Sequence, residues 1–278
     1  MRELAGKVAV VTGGGSGIGR GMALAFAEAG MRVVVADIEG AAADKVVAEI
    51  RGLGQPALAL QTDVSKRDAV EALAERVYAE LGSVELLCNN AGVFIFGPLD
   101  AQTDSDWSWL LSVNLTGVVN GLQAFLPRMK QQSGEKHIVN TASLAGVIAF
   151  PGLGVYTASK YAVVGISETL RQEGAGYGLG CSVLCPGAVS TNIISSERNR
   201  PAELRSSRPA SAPAVPPAVA ADLLSRARDP LWVGRRVRTG VEKDEAYIFT
   251  DPRGRALLDA RIASMRAGFD ATDRYGDG

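Results

Sequence analysis

Histidine and cysteine are scarce in this chain. Its 278 residues include one histidine, His137, and three cysteines, Cys88, Cys181 and Cys185. One imidazole leaves few soft donors for a tetrahedral zinc centre, so no metal is expected. An odd count of three is too small for a disulfide framework. Cys181 and Cys185 fall on one face of an expected strand but about 13 Å apart, beyond disulfide reach, and all three are read as core. An excess of either charge is also lacking. The 29 basic and 30 acidic side chains leave a net charge of −1, which gives no reason to expect nucleic acid or an anionic membrane as a main partner. No apolar run approaches the ~20 residues of a membrane span, and the opening MRELAGKVAVVTGGG has no long apolar segment of the secretory kind. These absences point to a cytoplasmic protein.

Glycine (32 residues) and apolar side chains (47%) are plentiful, which suits buried strands alternating with tight turns. Residues 7–12, 32–36, 57–62, 84–88, 137–141 and 180–184 read as strands, several of them apolar enough to be buried on both faces. Stretches 20–29, 41–51, 66–81, 104–130 and 156–172 read as helices. The connections are too long for hairpins. The expected fold is therefore α/β: a single doubly wound, Rossmann-type domain over residues 1–278, with about seven parallel strands and helices on both faces. The last strand is placed at 245–250, after a helix at 218–228 and before a C-terminal helical extension, 251–278. Residues 192–230 include a stretch rich in Pro, Ser, Ala and Arg, and are expected to form a mobile lid over the substrate.

Ligands of such sheets bind beyond the carboxyl ends of the strands, and the residues with chemical potential cluster there. Thr12 and Gly13, then Gly17 and Gly19, form TGxxxGxG between the first strand and its helix. Glycines there permit a tight turn, and free N–H groups at a helix start can receive a pyrophosphate; a merely flexible turn is the plainer reading. Asp37 ends the second strand, eighteen residues beyond Gly19. An acid at this offset can accept from both hydroxyls of an adenosine ribose and repel a 2′-phosphate, or it can simply stabilise a turn. Asp63 is a candidate cap for the next helix, with Ser65 as rival. Asn114 lies inside a helical stretch, either buried with partners or facing solvent. Tyr156 and Lys160, four apart, share a helix face. A phenol titrating near ~10 is a poor base at neutral pH, and a nearby cation favours its ionised form. Ser143, at the end of an apolar strand, could hydrogen-bond the substrate oxygen that Tyr156 serves.

Taken together, TGxxxGxG, Asn89-Asn90-Ala91-Gly92, Asn114, Ser143 and Tyr156-x-x-x-Lys160 resemble the short-chain dehydrogenase/reductase family over about two thirds of the chain. The resemblance implies Asn114, Ser143, Tyr156 and Lys160 as catalytic residues, with Asn114 holding a water in a proton relay. It implies coenzyme contacts from Gly13, Ser16, Gly17, Ile18, Gly19, Asp37, Asp63, Val64, Asn90, Tyr156, Lys160, Pro186, Gly187, Val189 and Thr191, with Asp63 and Val64 beside adenine. NADP-using members carry a basic residue next to the acid or inside the glycine loop; here Ile38 and Ser16 stand there, so NAD is expected. The implied reaction interconverts a secondary alcohol and a ketone in a homodimer or homotetramer. Val93, Phe94, Ile95, Phe96, Val147, Ile148, Phe150 and Leu153 are candidates for a hydrophobic pocket wall, with core packing an equal explanation for any one of them. The usual last strand of the family is not apparent. A rival of a different class is an NAD-binding regulator or scaffold without turnover.

Overall fold

The computed structural model describes residues 1–205 and 215–275. Part of the expected lid, 206–214, and the last three residues of the C-terminal extension lie outside the described residues. Seven strands, β1 (Val8–Thr12), β2 (Arg32–Asp37), β3 (Ala57–Gln61), β4 (Leu86–Asn89), β5 (Lys136–Thr141), β6 (Leu179–Cys185) and β7 (Tyr247–Phe249), form one sheet in the order β3-β2-β1-β4-β5-β6-β7. All neighbours are parallel, from Val8 beside Arg32 to Cys185 beside Phe249. The seventh strand thus joins the sheet where the 245–250 pattern placed it.

The helices are α1 (Gly17–Glu28), α2 (Gly40–Gly52), α3 (Arg67–Leu81), α4 (Asp104–Leu111), α5 (Gly117–Gln131), α6 (Gly154–Gly174), α7 (Pro217–Ser225), α8 (Pro230–Glu242) and α9 (Arg255–Tyr275). Alternation along the strands divides the apolar interior between the two faces. Ala9, Val11, Val33 and Val35 pack with α1, α2 and α8, whereas Val8, Val10, Val34 and Ala36 pack on the opposite side with α3 and α5. Strand order reverses between β1 and β4, and a crevice opens there at the carboxyl ends, the place where doubly wound sheets take ligands.

Four features depart from the sequence expectation. Residues 230–242, given no element by their pattern, form α8. Asp229 caps it by accepting from the Trp232 N–H at 2.9 Å, Pro230 stands in its first turn, and Val233, Val237 and Val241 recur every fourth position and are buried. Helix α8 lies directly on α1: a Cβ on Gly21 would stand 1.9 Å from the Pro230 carbonyl, and one on Gly234 would stand 2.0 Å from the Gly21 carbonyl. Helix α7 ends at Ser225 instead of 228, because Arg228 leaves it to pair with Val189 in a parallel bridge. The helical run 104–130 is interrupted by a π turn, Ser112–Thr116, closed by the Gly117 N–H bonding back to the Ser112 carbonyl. The 28 residues Asp104–Gln131 are by length and composition apolar enough to cross a membrane, contrary to the expectation from apolar runs. In the fold they pack against α3, α6 and β4.

Candidate active site

The glycine turn after β1 is shaped by contacts that leave no room for side chains. A Cβ on Gly19 would fall 2.0 Å from the Gly13 carbonyl oxygen, and one on Gly13 would fall 2.8 Å from Ala91 Cα. Gly13 and Gly17 have φ of 62° and 51°, the left-handed region that glycine enters freely. Ser16 precedes α1 without capping it through its side chain, so no side chain competes for the first-turn N–H groups, which suits an anion.

Asn90 ties this turn to the centre of the sheet. Its Nδ2 donates to the Thr12 carbonyl at 3.0 Å, its backbone N–H donates to Thr12 Oγ1 at 2.9 Å, and its Oδ1 accepts from Thr141 Oγ1 at 3.2 Å. Asn89 donates to Asn140 Oδ1 at 2.9 Å, and Asn140 in turn donates to Ser167 on α6. Asp37 is nearly buried at the end of β2; Oδ2 accepts from the Gly15 N–H (2.8 Å) and Oδ1 from the Glu39 N–H (2.9 Å). Asp63 does not cap α3, and neither does Ser65. Lys66 occupies the cap position without a side-chain bond, and Asp63 Oδ1 instead accepts from the N–H and hydroxyl of Ser65, a local turn that outcompetes capping.

Ser143 and the Tyr156/Lys160 pair, on separate elements, meet because the turn after β5 is pressed against α6. A Cβ on Gly146 would lie 2.8 Å from the Lys160 carbonyl and 3.0 Å from Val164 Cγ2. The Ser143 hydroxyl accepts from the Ala145 N–H at 3.1 Å and lies close enough to the Tyr156 phenol to favour its ionised form. Lys160 Nζ donates to the Thr141 carbonyl at 2.9 Å and stands 5.6 Å from the centre of the Tyr156 ring. Phe94 meets that ring edge-on at 5.1 Å. Both titrating groups are buried, and burial dominates their behaviour. It pushes the phenol up to about 12, against a smaller lowering by Ser143, and pushes the ammonium down to about 8. The expected lowering of the phenol by Lys160 is not seen: desolvation raises it, and the opposing influence comes from Ser143.

Asn114 sits in the π turn, fully buried, which removes the solvent-facing alternative. Its Oδ1 accepts from the Val93 N–H at 2.8 Å, and its Nδ2 donates to the Val93 carbonyl at 3.0 Å and to Ser159 Oγ at 3.3 Å. The carboxamide is thus spent on holding the Gly92-Val93 backbone against α6.

A cavity of about 710 Å³ at the crevice is lined by Gly13, Ser16, Gly17, Ile18, Gly19, Asp37, Asp63, Val64, Asn90, Ser143, Tyr156, Lys160, Pro186, Gly187, Val189 and Thr191. Asn114 lies behind this wall. Of the apolar candidates, Val93, Phe94, Phe96, Phe150 and Leu153 face the cavity. Ile95, Val147 and Ile148 do not: they are buried in the packing beneath it. The sequence reading missed Trp109, Ile193, Arg198 and Leu257, which also line it. Trp109 and Leu257 were legible only as helix-face residues, and nothing in the local pattern of 193–198 signals a wall. That segment, a 3₁₀ stretch Ile193–Asn199, is anchored by its neighbour Arg200. The buried guanidinium donates to Asp106 Oδ1 at 2.8 Å and lies 4.9 Å over the Trp109 ring.

Comparison with known proteins adds independent support. Residues 7–202 match the family model described as short chain dehydrogenase. The chain is 36% identical over 268 residues to the C alpha-dehydrogenase of a Sphingobium species, covering 95% of this chain and 87% of that one. It is 42% identical over 184 residues to EphD of Mycobacterium tuberculosis, covering 66% of this chain but only 31% of that much longer protein. Among solved structures, a short chain dehydrogenase/reductase from Burkholderia phymatum in complex with NAD superposes with a TM-score of 0.90 at 38% identity, over 96% of this chain and 97% of the other. On the family model and on these similarities, the chain belongs to the short-chain dehydrogenase/reductase family.

Proposed function

We propose that the protein is an NAD-dependent oxidoreductase that interconverts a secondary alcohol and a ketone on a small or medium hydrophobic substrate. The observation that carries this reading is the meeting of Ser143, Tyr156 and Lys160 on the same cavity as the glycine turn and Asp37. When bound, NAD supplies the hydride acceptor or donor. Gly13, Ser16, Gly17, Ile18 and Gly19 would hold its pyrophosphate, Asp37 its adenosine ribose, Asp63 and Val64 its adenine, and Lys160 its second ribose. Asn90 would brace this cradle, and Pro186, Gly187, Val189 and Thr191 would flank the nicotinamide.

Tyr156 exchanges a proton with the substrate oxygen, and Ser143 donates a hydrogen bond to the same oxygen as its charge develops. With the phenol pushed up to about 12, Tyr156 is protonated at neutral pH and ready to donate to a ketone. The reverse direction needs the phenolate, which the Ser143 side chain favours. Because the Asn114 carboxamide is committed to Val93 and Ser159, a relay water would rest on another atom of that residue. The described residues of 192–205 and 215–226 that line the cavity would cover the substrate, and the chain works as a homodimer or homotetramer.

A panel of secondary alcohols and ketones with NAD(H), followed at the nicotinamide absorbance, tests the activity. Turnover of hydrophobic members is expected; no turnover across the panel despite NADH binding would favour a regulator or scaffold. A higher kcat/KM with NADPH than with NADH would overturn the coenzyme assignment.

A further inference from the structure

Two residues beyond Asp37, Glu39 makes contacts that the coenzyme reading above does not use. Its Oε1 accepts from Arg198 Nε at 3.0 Å, from Arg198 Nη2 at 2.7 Å and from Asn199 Nδ2 at 2.9 Å. Arg198 is held from its other side as well: Nη1 donates to the Ser195 carbonyl at 3.0 Å and to the Asn192 carbonyl at 3.3 Å. The guanidinium is thus fixed by main-chain carbonyls behind and faces Glu39 in front. Arg198 and Glu39 line the main cavity together with Asp37 and Ser16. The same four residues line an adjoining cavity of about 320 Å³, whose walls also carry Arg20 and Lys45. This recess lies beside the acid assigned to the ribose and carries three cations, Arg20, Lys45 and Arg198, against three carboxylates, Asp37, Glu39 and Glu49; within it Arg20 is paired with Glu49 and Arg198 with Glu39.

We propose that Glu39 is a second determinant of coenzyme choice, and that it acts by occupying the Arg198 fork. The proposal rests on the assignment of Asp37 to the adenosine ribose and deepens it. A guanidinium edge matches two oxygens of a phosphate and is a natural receptor for the 2′-phosphate of NADP. With Glu39 in place, a 2′-phosphate must displace the two hydrogen bonds of the Arg198 fork and stand between two carboxylates, Asp37 and Glu39. Once Glu39 is removed, Nε and Nη2 lose their partner while Nη1 stays on its carbonyls, so the fork remains aimed at the recess. The Arg198–Glu39 pair is 39% and 42% exposed, and such surface pairs contribute little to stability, so the fold should tolerate its loss.

The test uses the full-length chain as Glu39→Ala, Arg198→Ala and the double variant, titrated with NADH and with NADPH by nicotinamide fluorescence. Glu39→Ala should tighten NADPH binding roughly tenfold, the scale of one charge-assisted hydrogen bond, while the Kd for NADH changes by less than about twofold. Adding Arg198→Ala should return NADPH affinity to the level of the unmodified protein. Unchanged NADPH binding in Glu39→Ala would overturn the proposal. A gain that persists in the double variant would overturn it too, because Glu39 would then act by simple repulsion. Tighter binding of NADPH than NADH by the unmodified protein would instead contradict the Asp37 assignment, a failure visible before any variant is made.

Discussion

The two ends of the cleft are built from opposite materials. At the proposed catalytic end Tyr156 and Lys160 are buried, Lys160 donates to the Thr141 carbonyl, and burial pushes the phenol up to about 12 and the ammonium down to about 8. At the adenosine end Asp37, Glu39, Arg198 and Arg20 are held by hydrogen bonds and ion pairs, several of them half exposed. Burial makes a charge expensive and its geometry rigid, whereas exposure makes it cheap and adjustable. On the proposed reading, chemistry is placed where water is excluded, and selection among coenzymes where single substitutions can tune it without unfolding the chain.

Substitutions can break this contrast, with effects that should shrink from the interior outward. Arg200→Met removes the buried guanidinium that Asp106 faces, and should cost about 3–5 kcal/mol in urea unfolding. A loss under about 1 kcal/mol would mean that the anchor of the 193–199 segment behaves like a surface pair. Lys160 bears on pH. Its folded pKa is lowered from 10.5 to about 8, so between those values the unfolded chain binds more protons and stability rises with pH. The Lys160 share of that change should total about 3 kcal/mol, read as the difference in unfolding free energy between the unmodified protein and Lys160→Met across that window, because the buried Cys88, Cys181 and Cys185 thiols, raised from 9.0, oppose it in both proteins. Gly146→Ala forces a methyl into the Lys160 carbonyl, and should cost about 1–3 kcal/mol while lowering turnover by displacing Ser143 from Tyr156. Arg20→Ala breaks the Arg20–Glu49 pair at the surface, and its melting temperature should fall by an amount equivalent to less than about 1 kcal/mol.

Much of the first two thirds of the chain was legible because its signals are local. Buried parallel strands must be apolar runs, a phosphate turn must be glycine, and Tyr156 and Lys160 share one turn of one helix. The C-terminal third was harder to read, for definite reasons. Helix α8 carries a start signal, Asp229-Pro230, and a regular valine stripe, yet its fit depends on Gly21 two hundred residues away. The walls supplied by Ile193, Arg198 and Leu257 come from segments whose own pattern says nothing about what they cover. Ile95, Val147 and Ile148 show the converse limit: an apolar stretch beside a pocket does not reveal which of its residues face inward. The pKa of Tyr156 failed as an expectation for a related reason, since the spacing to Lys160 reports proximity but not the depth of burial.

The catalytic role of Tyr156 is tested most directly by one paired measurement on Tyr156→Phe: the Kd for NADH and the turnover number with an active alcohol. Removing one oxygen from a buried ring should leave NADH binding within about twofold and cut turnover by at least ~100-fold, the low end for acid–base catalysis. Turnover near that of the unmodified protein, with NADH bound normally, would show that the proton passes through some other group.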